Sequence, residues 1–174
     1  GLALYVDGAR LAYGLGAEGN DVTLPDLGRL CDAFYIGGTK CGALLGEAVV
    51  FPKKDRVPHF FTMVKQHGAL LAKGWIAAIQ FDTLLSGGLY EKLGRNGDRQ
   101  ADRIRKALDE KGYHQHVRNS TNQIFITLTK EKAKELSGKV EMGFWENKGE
   151  QVVMRIATSW ATTDEEVDRL LEML

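Results

Sequence analysis

The sequence lacks an excess of either charge and lacks any long hydrophobic run. Lysine and arginine together number 23, and so do aspartate and glutamate. This balance provides no basic surface for a nucleic acid and no charged interaction tail. There is no apolar run of about 18 residues, the length that spans a membrane, and no signal-peptide pattern. We therefore expect a soluble protein that binds neither nucleic acid nor membrane.

Cysteine is scarce, and the histidines show no metal-binding pattern. The two cysteines, Cys31 and Cys41, form no CxxC motif, so a reduced, cytoplasmic setting is expected. None of the four histidines has the spacing of a zinc-binding pair. His114 and His116 alternate along a strand-like segment, for which a surface strand face is the simpler interpretation. The sequence therefore predicts no metal site.

The first third of the sequence alternates short apolar runs with helical segments. The runs at residues 2–6, 33–37 and 44–51 predict strands. Thr23, followed by Leu-Pro-Asp, predicts the start of a helix that extends to about Asp32. Such alternation is typical of an α/β protein in which helices cover a mostly parallel sheet.

The rest of the chain changes from helical to strand-like character near Gly112. Residues 55–111 are expected to be almost entirely helical, with a break at Gly87-Gly88. Strand-like segments follow, with one short helix at about 130–137. Thr163 and Glu166 form a capping box before a last amphipathic helix. We expect the last 90 or so residues to form a small α+β domain.

Asp7, Lys40 and Arg155 are the candidates for chemistry. Taken singly, each has an ordinary interpretation: a helix cap, a solvated loop lysine and an outward-facing strand residue. Asp7 and Lys40, however, both follow predicted strands, at the edge where ligands of open α/β sheets bind. Small residues around Lys40 leave room for an aldehyde cofactor, and an acid on the neighbouring strand can pair with a pyridinium nitrogen. A lysine with such an acid is typical of pyridoxal-phosphate chemistry.

Four segments of the sequence resemble one family of enzymes. They are "YVDGAR", "CDAFYIGGTKCGALLGEAVVF", "KQHGALLAKGW" and "MRIATSWATTDEEVDRLL". In this order they resemble the low-specificity L-threonine aldolases, of the aromatic amino acid beta-eliminating lyase/threonine aldolase group of fold-type I pyridoxal-phosphate enzymes. The resemblance implies that residues 1–84 are the remainder of the cofactor-binding large domain and residues 85–174 the C-terminal small domain.

The resemblance also implies a role for each candidate residue. Lys40 is expected to be the Schiff-base lysine that carries pyridoxal 5'-phosphate, with Thr39 beside it in the cofactor site. Asp7 is expected to bond to the pyridine nitrogen. Arg10 is expected to lie by the ring oxygen of the cofactor or by the substrate carboxylate, and Arg155 to grip the substrate α-carboxylate. The implied reaction cleaves the Cα–Cβ bond of a β-hydroxy-α-amino acid to give glycine and an aldehyde.

Members of this family have a longer N-terminal part than this sequence. That part supplies a glycine-rich phosphate cradle and the aromatic residue or histidine that stacks on the cofactor. The resemblance therefore implies that this chain is a C-terminal half that needs the other half, and that the enzyme is a homodimer or homotetramer. The alternatives are another fold-type I enzyme, either a β-eliminating lyase or an aminotransferase, and an inactive fragment that serves only as an oligomer partner.

Overall fold

The computed structural model describes all residues from 1 to 174 and shows an α/β chain with two sheets. The strands are β1 (Tyr5–Val6), β2 (Ala33–Gly37), β3 (Glu47–Val50), β4 (His114–Val117), β5 (Gln123–Thr129), β6 (Gly143–Lys148) and β7 (Gln151–Ala157). The helices are α1 (Leu11–Gly16), α2 (Leu24–Leu30), α3 (Phe60–Gln66), α4 (Trp75–Leu85), α5 (Leu89–Glu110), α6 (Lys130–Ser137) and α7 (Asp164–Met173). A short 3₁₀ turn, Ser86–Gly88, joins α4 to α5.

The first sheet has the strand order β1-β2-β3 and contains one parallel pair. β1 is parallel to β2, whereas β3 is antiparallel to β2, so the sheet is mixed rather than mostly parallel. The prediction of a buried strand at residues 2–6 was wrong, because only Tyr5 and Val6 are paired. β1 is an edge strand in which Tyr5 is 59% exposed, and Leu2, which precedes the strand, is fully exposed.

The helices begin and end largely where local capping signals predict. The Thr23 side chain accepts a hydrogen bond from the Asp26 N–H in a capping box that starts α2, although this helix ends at Leu30 rather than near Asp32. The predicted break between α4 and α5 is confirmed, because Gly87 and Gly88 have φ angles of 60° and 71°. No helix of the chain has the length and apolar character needed to cross a membrane.

The second sheet is antiparallel, with the strand order β4-β5-β7-β6. The short helix predicted at 130–137 is α6, which begins at the Thr129 cap. The capping box of Thr163 and Glu166 starts α7 as predicted. Residues of α6 and α7, such as Leu136 and Val167, pack against the buried face of the sheet.

Helix α5 contributes side chains to two hydrophobic cores. Tyr90, near its beginning, belongs to the core that the first sheet forms with α1, α2 and α4. Ile104 and Leu108, farther along, belong to the core beneath the second sheet. The helix therefore connects the sheet edge that carries Asp7 and Lys40 to the sheet that carries Arg155.

Candidate active site

Asp7 is the first residue after β1, at the edge of the first sheet. Its Oδ1 atom accepts hydrogen bonds from the Tyr35 hydroxyl and from the Ala9 N–H at 3.0 Å. The Tyr35 bond first, then the Ala9 bond and the positive charge of Lys40, lower the pKa of the Asp7 carboxyl. Asp7 is therefore a carboxylate at neutral pH, and its Oδ2 atom has no partner within the chain.

The parallel pairing of β1 with β2 explains why Asp7 meets Tyr35. Val6, the last residue of β1, lies opposite Phe34, so Asp7, which follows Val6, lies beside Tyr35, which follows Phe34. Because successive side chains of a strand alternate between faces, Tyr35 points away from the core that Phe34 and Ile36 enter. The bond to Asp7 raises the pKa of Tyr35 to about 12, so Tyr35 keeps the proton that it donates.

Gly8 allows the backbone after Asp7 to lie directly against β2. A Cβ atom at Gly8 would lie 1.7 Å from the carbonyl oxygen of Tyr35. The Gly37 N–H donates to the Gly8 carbonyl at 2.9 Å, and a Cβ atom at Gly37 would lie 2.4 Å from that carbonyl oxygen. Only glycine fits at both positions without a backbone shift. The Asp-Gly segment is thus locked to the strand that leads to Lys40.

Lys40 lies in a tight turn just beyond the end of β2. The N–H groups of Cys41 and Ala43 both donate to the Gly38 carbonyl, at 2.9 and 3.0 Å. The Lys40 carbonyl accepts a hydrogen bond from the Tyr13 hydroxyl at 2.5 Å. The Lys40 side chain is exposed, and its amine has no partner among the hydrogen bonds and ion pairs of the chain. The turn therefore fixes the main chain of Lys40 and leaves its amine free.

Glu47, at the start of β3, holds the residues just before Lys40. Its Oε2 atom accepts a hydrogen bond from the Gly38 N–H at 2.8 Å, and its Oε1 atom accepts one from the Thr39 hydroxyl at 3.2 Å. The antiparallel pairing of β2 with β3 places Glu47 opposite Gly37. Thr39 thus lies beside Lys40 with its hydroxyl engaged by a carboxylate.

Arg10 caps the N-terminal end of α1, one turn after Asp7. Its carbonyl accepts hydrogen bonds from the N–H groups of Tyr13 and Gly14, at 3.1 and 3.2 Å. Its side chain is half-buried, and its Nε atom is buried without a hydrogen-bond partner. A buried guanidinium nitrogen left unpaired costs free energy, so this atom is a donor available to an anionic or carbonyl oxygen.

Arg155 lies apart from this group, on β7 of the second sheet. Its Nη1 atom donates to the Gln123 side chain at 3.3 Å. Its guanidinium carbon is 6.0 Å from the ring centroid of Trp145, within the range of a cation–π interaction. No hydrogen bond or ion pair joins Arg155 to Asp7 or Lys40. The structure therefore leaves the predicted role of Arg155 as a prediction.

The structure brings four of the predicted residues to one edge of the first sheet: Asp7, Arg10, Thr39 and Lys40. Sequence reasoning missed three residues that hold them: Tyr13, Tyr35 and Glu47. Of these, Tyr35 could have been found from the alternation in "AFYIG", which points its side chain away from the core. The contacts of Tyr13 depend on distant parts of the chain and left no local signal.

The chemistry of this edge fits pyridoxal phosphate. Asp7 provides a carboxylate oxygen without a partner, as a protonated pyridine nitrogen requires. Lys40 provides an exposed amine without a partner, as an aldehyde requires. Arg10 adds an unpaired donor at the same end of the sheet. These are complementary groups for the ring and the aldehyde of the cofactor.

Comparisons with solved structures show what the chain is similar to. It is 39% identical to threonine aldolase of Leishmania major, with a TM-score of 0.94, over 99% of this chain and 51% of that one. It is 17% identical to serine palmitoyltransferase of Sphingomonas wittichii, with a TM-score of 0.69, over 99% of this chain and 46% of that one. A further serine palmitoyltransferase structure, 14% identical with a TM-score of 0.68 over the same shares of the two chains, holds pyridoxal phosphate as an internal aldimine.

These similarities differ in what they show. The serine palmitoyltransferases share the fold-type I fold at low identity, whereas the threonine aldolase is similar in both sequence and fold. No family model and no curated protein sequence matches the chain. The chain spans about half the length of the Leishmania enzyme. Over nearly all of its own length, the chain is therefore similar to one half of a threonine aldolase, and its fold is that of fold-type I enzymes, whose cofactor is pyridoxal phosphate.

Proposed function

We propose that the chain is part of a pyridoxal-phosphate-dependent aldehyde-lyase. The reaction is cleavage of the Cα–Cβ bond of β-hydroxy-α-amino acids, which converts threonine or allo-threonine into glycine and acetaldehyde. The observation that carries the proposal is the placement of Asp7 and Lys40 at one sheet edge, each with a free polar atom. The 39% identity to Leishmania major threonine aldolase supports the choice of reaction.

In this proposal Lys40 and Asp7 hold the cofactor from two sides. The Lys40 amine would hold the cofactor through its aldehyde group. The Oδ2 atom of Asp7, which has no partner in the chain, would accept a hydrogen bond from the protonated pyridine nitrogen. Tyr35 supports this contact, because its hydroxyl occupies Oδ1 and helps to keep Asp7 charged. Thr39 lies beside Lys40 as part of the same binding site.

The two arginines are proposed to orient the substrate. Arg155 binds the α-carboxylate, a task that suits the planar fork of a guanidinium. Gln123 and Trp145 hold this side chain in place. Arg10 lies by the ring oxygen of the cofactor or by the same carboxylate. Fixing the carboxylate sets the angle of the bond to be broken, which contributes to the rate by orientation.

The bound cofactor supplies an electron sink for the pair left on Cα when the bond to Cβ breaks. We propose that the phosphate cradle and the base for the β-hydroxyl proton come from outside these 174 residues. We also propose that the protein is a homo-oligomer and that it is located in the cytoplasm, where cysteines stay reduced. Both cysteines of the chain are free and buried. This chain's share of the reaction is to hold the ring nitrogen, the aldehyde carbon and the substrate carboxylate.

Attachment of the cofactor to Lys40 is the direct test. The purified chain is incubated with pyridoxal phosphate, reduced with borohydride and analysed by peptide mass spectrometry, while absorbance follows the conjugated imine. We expect the modification on Lys40 and its loss in Lys40→Ala. Lys134→Ala, which removes an exposed lysine on α6, is the matched control. An imine absorbance that survives in Lys40→Ala would contradict the proposal.

Product analysis distinguishes this lyase from its relatives. The chain, together with the polypeptide that supplies the phosphate cradle and the base, is given L-threonine and L-allo-threonine in the presence of pyridoxal phosphate. We expect glycine and acetaldehyde in equal amounts, because the reaction divides one amino acid into these two molecules. Ammonia with a keto acid would instead indicate a β-eliminating lyase, and amino transfer to an added keto acid would indicate an aminotransferase.

A further inference from the structure

Tyr13 is a buried residue of α1 that lies between the two halves of the structure. Its side chain is 1% exposed, and it follows Arg10 by one helical turn. Its ring packs so closely on α5 that a Cβ atom at Gly97 would lie 2.6 Å from it. The ring is therefore held in one position, and the position of its hydroxyl is fixed with it.

The hydroxyl of Tyr13 makes two hydrogen bonds to segments that are far apart in sequence. It donates to the Lys40 carbonyl at 2.5 Å and accepts from the Trp160 N–H at 3.2 Å. Burial raises the pKa of Tyr13 to about 12, so the hydroxyl keeps its proton throughout the physiological pH range. One atom thus binds the turn after β2 and the turn after β7.

The turn after β7 is held mainly by polar contacts with α5. The Asn96 side chain donates to the carbonyls of Trp160 and Thr162, at 3.0 and 3.1 Å. The Thr158 hydroxyl donates to the Gly97 carbonyl at 2.6 Å. Trp160 follows Arg155 closely on the same segment. The Trp160 N–H has Tyr13 as its acceptor, so this bond joins the turn of Lys40 to the strand of Arg155.

We propose that Tyr13 is a positioning residue that fixes the Lys40 turn against the turn after β7. The role of Lys40 in this statement rests on the proposed function. Loss of the hydroxyl leaves the Lys40 carbonyl and the Trp160 N–H without their shared partner and removes this polar link between the two turns. The main chain that carries the Lys40 side chain thereby loses one of the hydrogen bonds that fix it at this sheet edge.

Amide hydrogen exchange on the chain without cofactor tests the coupling directly. In the wild type, the Trp160 N–H should be protected from exchange. In Tyr13→Phe, which keeps the ring, this amide should exchange at least about tenfold faster, and the amides of residues 38–43 should also lose protection. Tyr113→Phe is the matched control, because the Tyr113 hydroxyl donates to the Leu174 carbonyl at 2.6 Å beside the second core.

Cofactor binding tests the consequence for Lys40. Affinity for pyridoxal phosphate should fall about three- to tenfold in Tyr13→Phe, the effect of one lost hydrogen bond. The pH at which the absorbance of the lysine-bound cofactor changes should shift as well, which a loss of overall stability alone does not cause. Tyr113→Phe should match the wild type in both measurements.

Three results would overturn the proposal: an unprotected Trp160 amide in the wild type, wild-type exchange in Tyr13→Phe, or equal effects of the two tyrosine variants on cofactor binding. If Tyr13→Phe does not fold, hydrogen exchange in the wild type tests the proposal: a protected Trp160 amide supports it and an unprotected Trp160 amide overturns it. If the wild type itself attaches no pyridoxal phosphate, the proposed function fails, whereas hydrogen exchange still decides whether Tyr13 couples the two turns.

Discussion

Asp98 is a buried carboxyl whose oxygens have no hydrogen-bond partner in the chain. It lies on α5, is 4% exposed and has Gly16 of α1 packed against it. Burial, with the negative charge of Asp102 adding to it and Arg105 opposing it, raises the pKa of Asp98 to about 7. Near neutral pH the Asp98 carboxyl is therefore only partly protonated. Its ionised form costs more free energy than its neutral form, because the charge is buried without a partner.

Asp98 should make the stability of the chain decrease with rising pH. Its pKa is raised on folding from 3.8 to about 7, so the folded state binds the proton more tightly than the unfolded state between these values. The free energy of unfolding should therefore fall through this window and stay low above it. Asp98→Asn mimics the neutral acid, so urea unfolding should show it more stable than the wild type at pH 8 and similar at pH 5. An equal difference at both pH values would contradict this.

Tyr35 should lower the pKa of the Asp7 carboxyl. The Tyr35 hydrogen bond is the largest cause of the lowered Asp7 pKa, so Tyr35→Phe should move that pKa up towards 3.8. NMR titration of the Asp7 carboxyl carbon measures the shift. Tyr5→Phe is the control, since its ring is 6.3 Å from that of Tyr35 but its hydroxyl does not bond to Asp7. An unchanged Asp7 pKa in Tyr35→Phe would show that Tyr35 does not have this effect.

At the scale of elements, the crossing of α1 with α5 depends on a glycine. A Cβ atom at Gly94 would lie 2.1 Å from the Ala12 carbonyl oxygen, and because that atom is backbone, one of the helices must move. Gly94→Ala should therefore lower the free energy of unfolding by at least about 1–3 kcal/mol. Gly14→Ala on α1 has no atom within 4 Å and should raise it by about 0.5–1 kcal/mol. Urea unfolding separates the two, and a stabilising Gly94→Ala would show that the helices are not in close contact.

The elements that sequence reasoning predicted well are those fixed by local contacts. The capping boxes at Thr23 and Thr163 join residues three positions apart, and the positive φ angles at Gly87-Gly88 follow from the residue type. The burial of β1 was mispredicted because it depends on which strands lie beside it. Tyr13 and Trp160 are 147 residues apart in the sequence, so no local sequence pattern predicts their contact. Asp7 and Lys40 were predicted as site residues because each lies just beyond the end of a predicted strand, and their roles stay a prediction.

For the molecule as a whole, the predicted division at residue 84 remains a prediction. α5 has Tyr90 in the first core and Ile104 in the second, so the two cores share one continuous helix. The polar contacts of Asn96 and Thr158 also join α5 to the turn after β7. Motion of one core relative to the other must therefore bend α5 or break these contacts.

The segment from α3 to α4 exposes large apolar side chains. α3 has no buried residue, and Phe61 and Trp75 are 72% and 61% exposed. Leu71 and Ile79 of the same segment are also exposed. Monomeric soluble proteins rarely leave large apolar patches open to water, and such patches mark association surfaces. We name residues 60–79 the α3–α4 surface and expect copies of the chain to associate through it.

Association through the α3–α4 surface should depend on its most exposed aromatic residues. In each of the variants Phe61→Glu and Trp75→Glu, both copies of the chain would have to bury an unpaired carboxylate on association. The association constant should therefore fall by at least about tenfold. Sedimentation velocity over a range of concentrations measures this. Leu2→Glu is the control, because it places the same charge at an even more exposed apolar position outside the surface. A wild type that stays monomeric at every concentration, or a Leu2→Glu variant that dissociates as readily, would contradict the assignment of this surface.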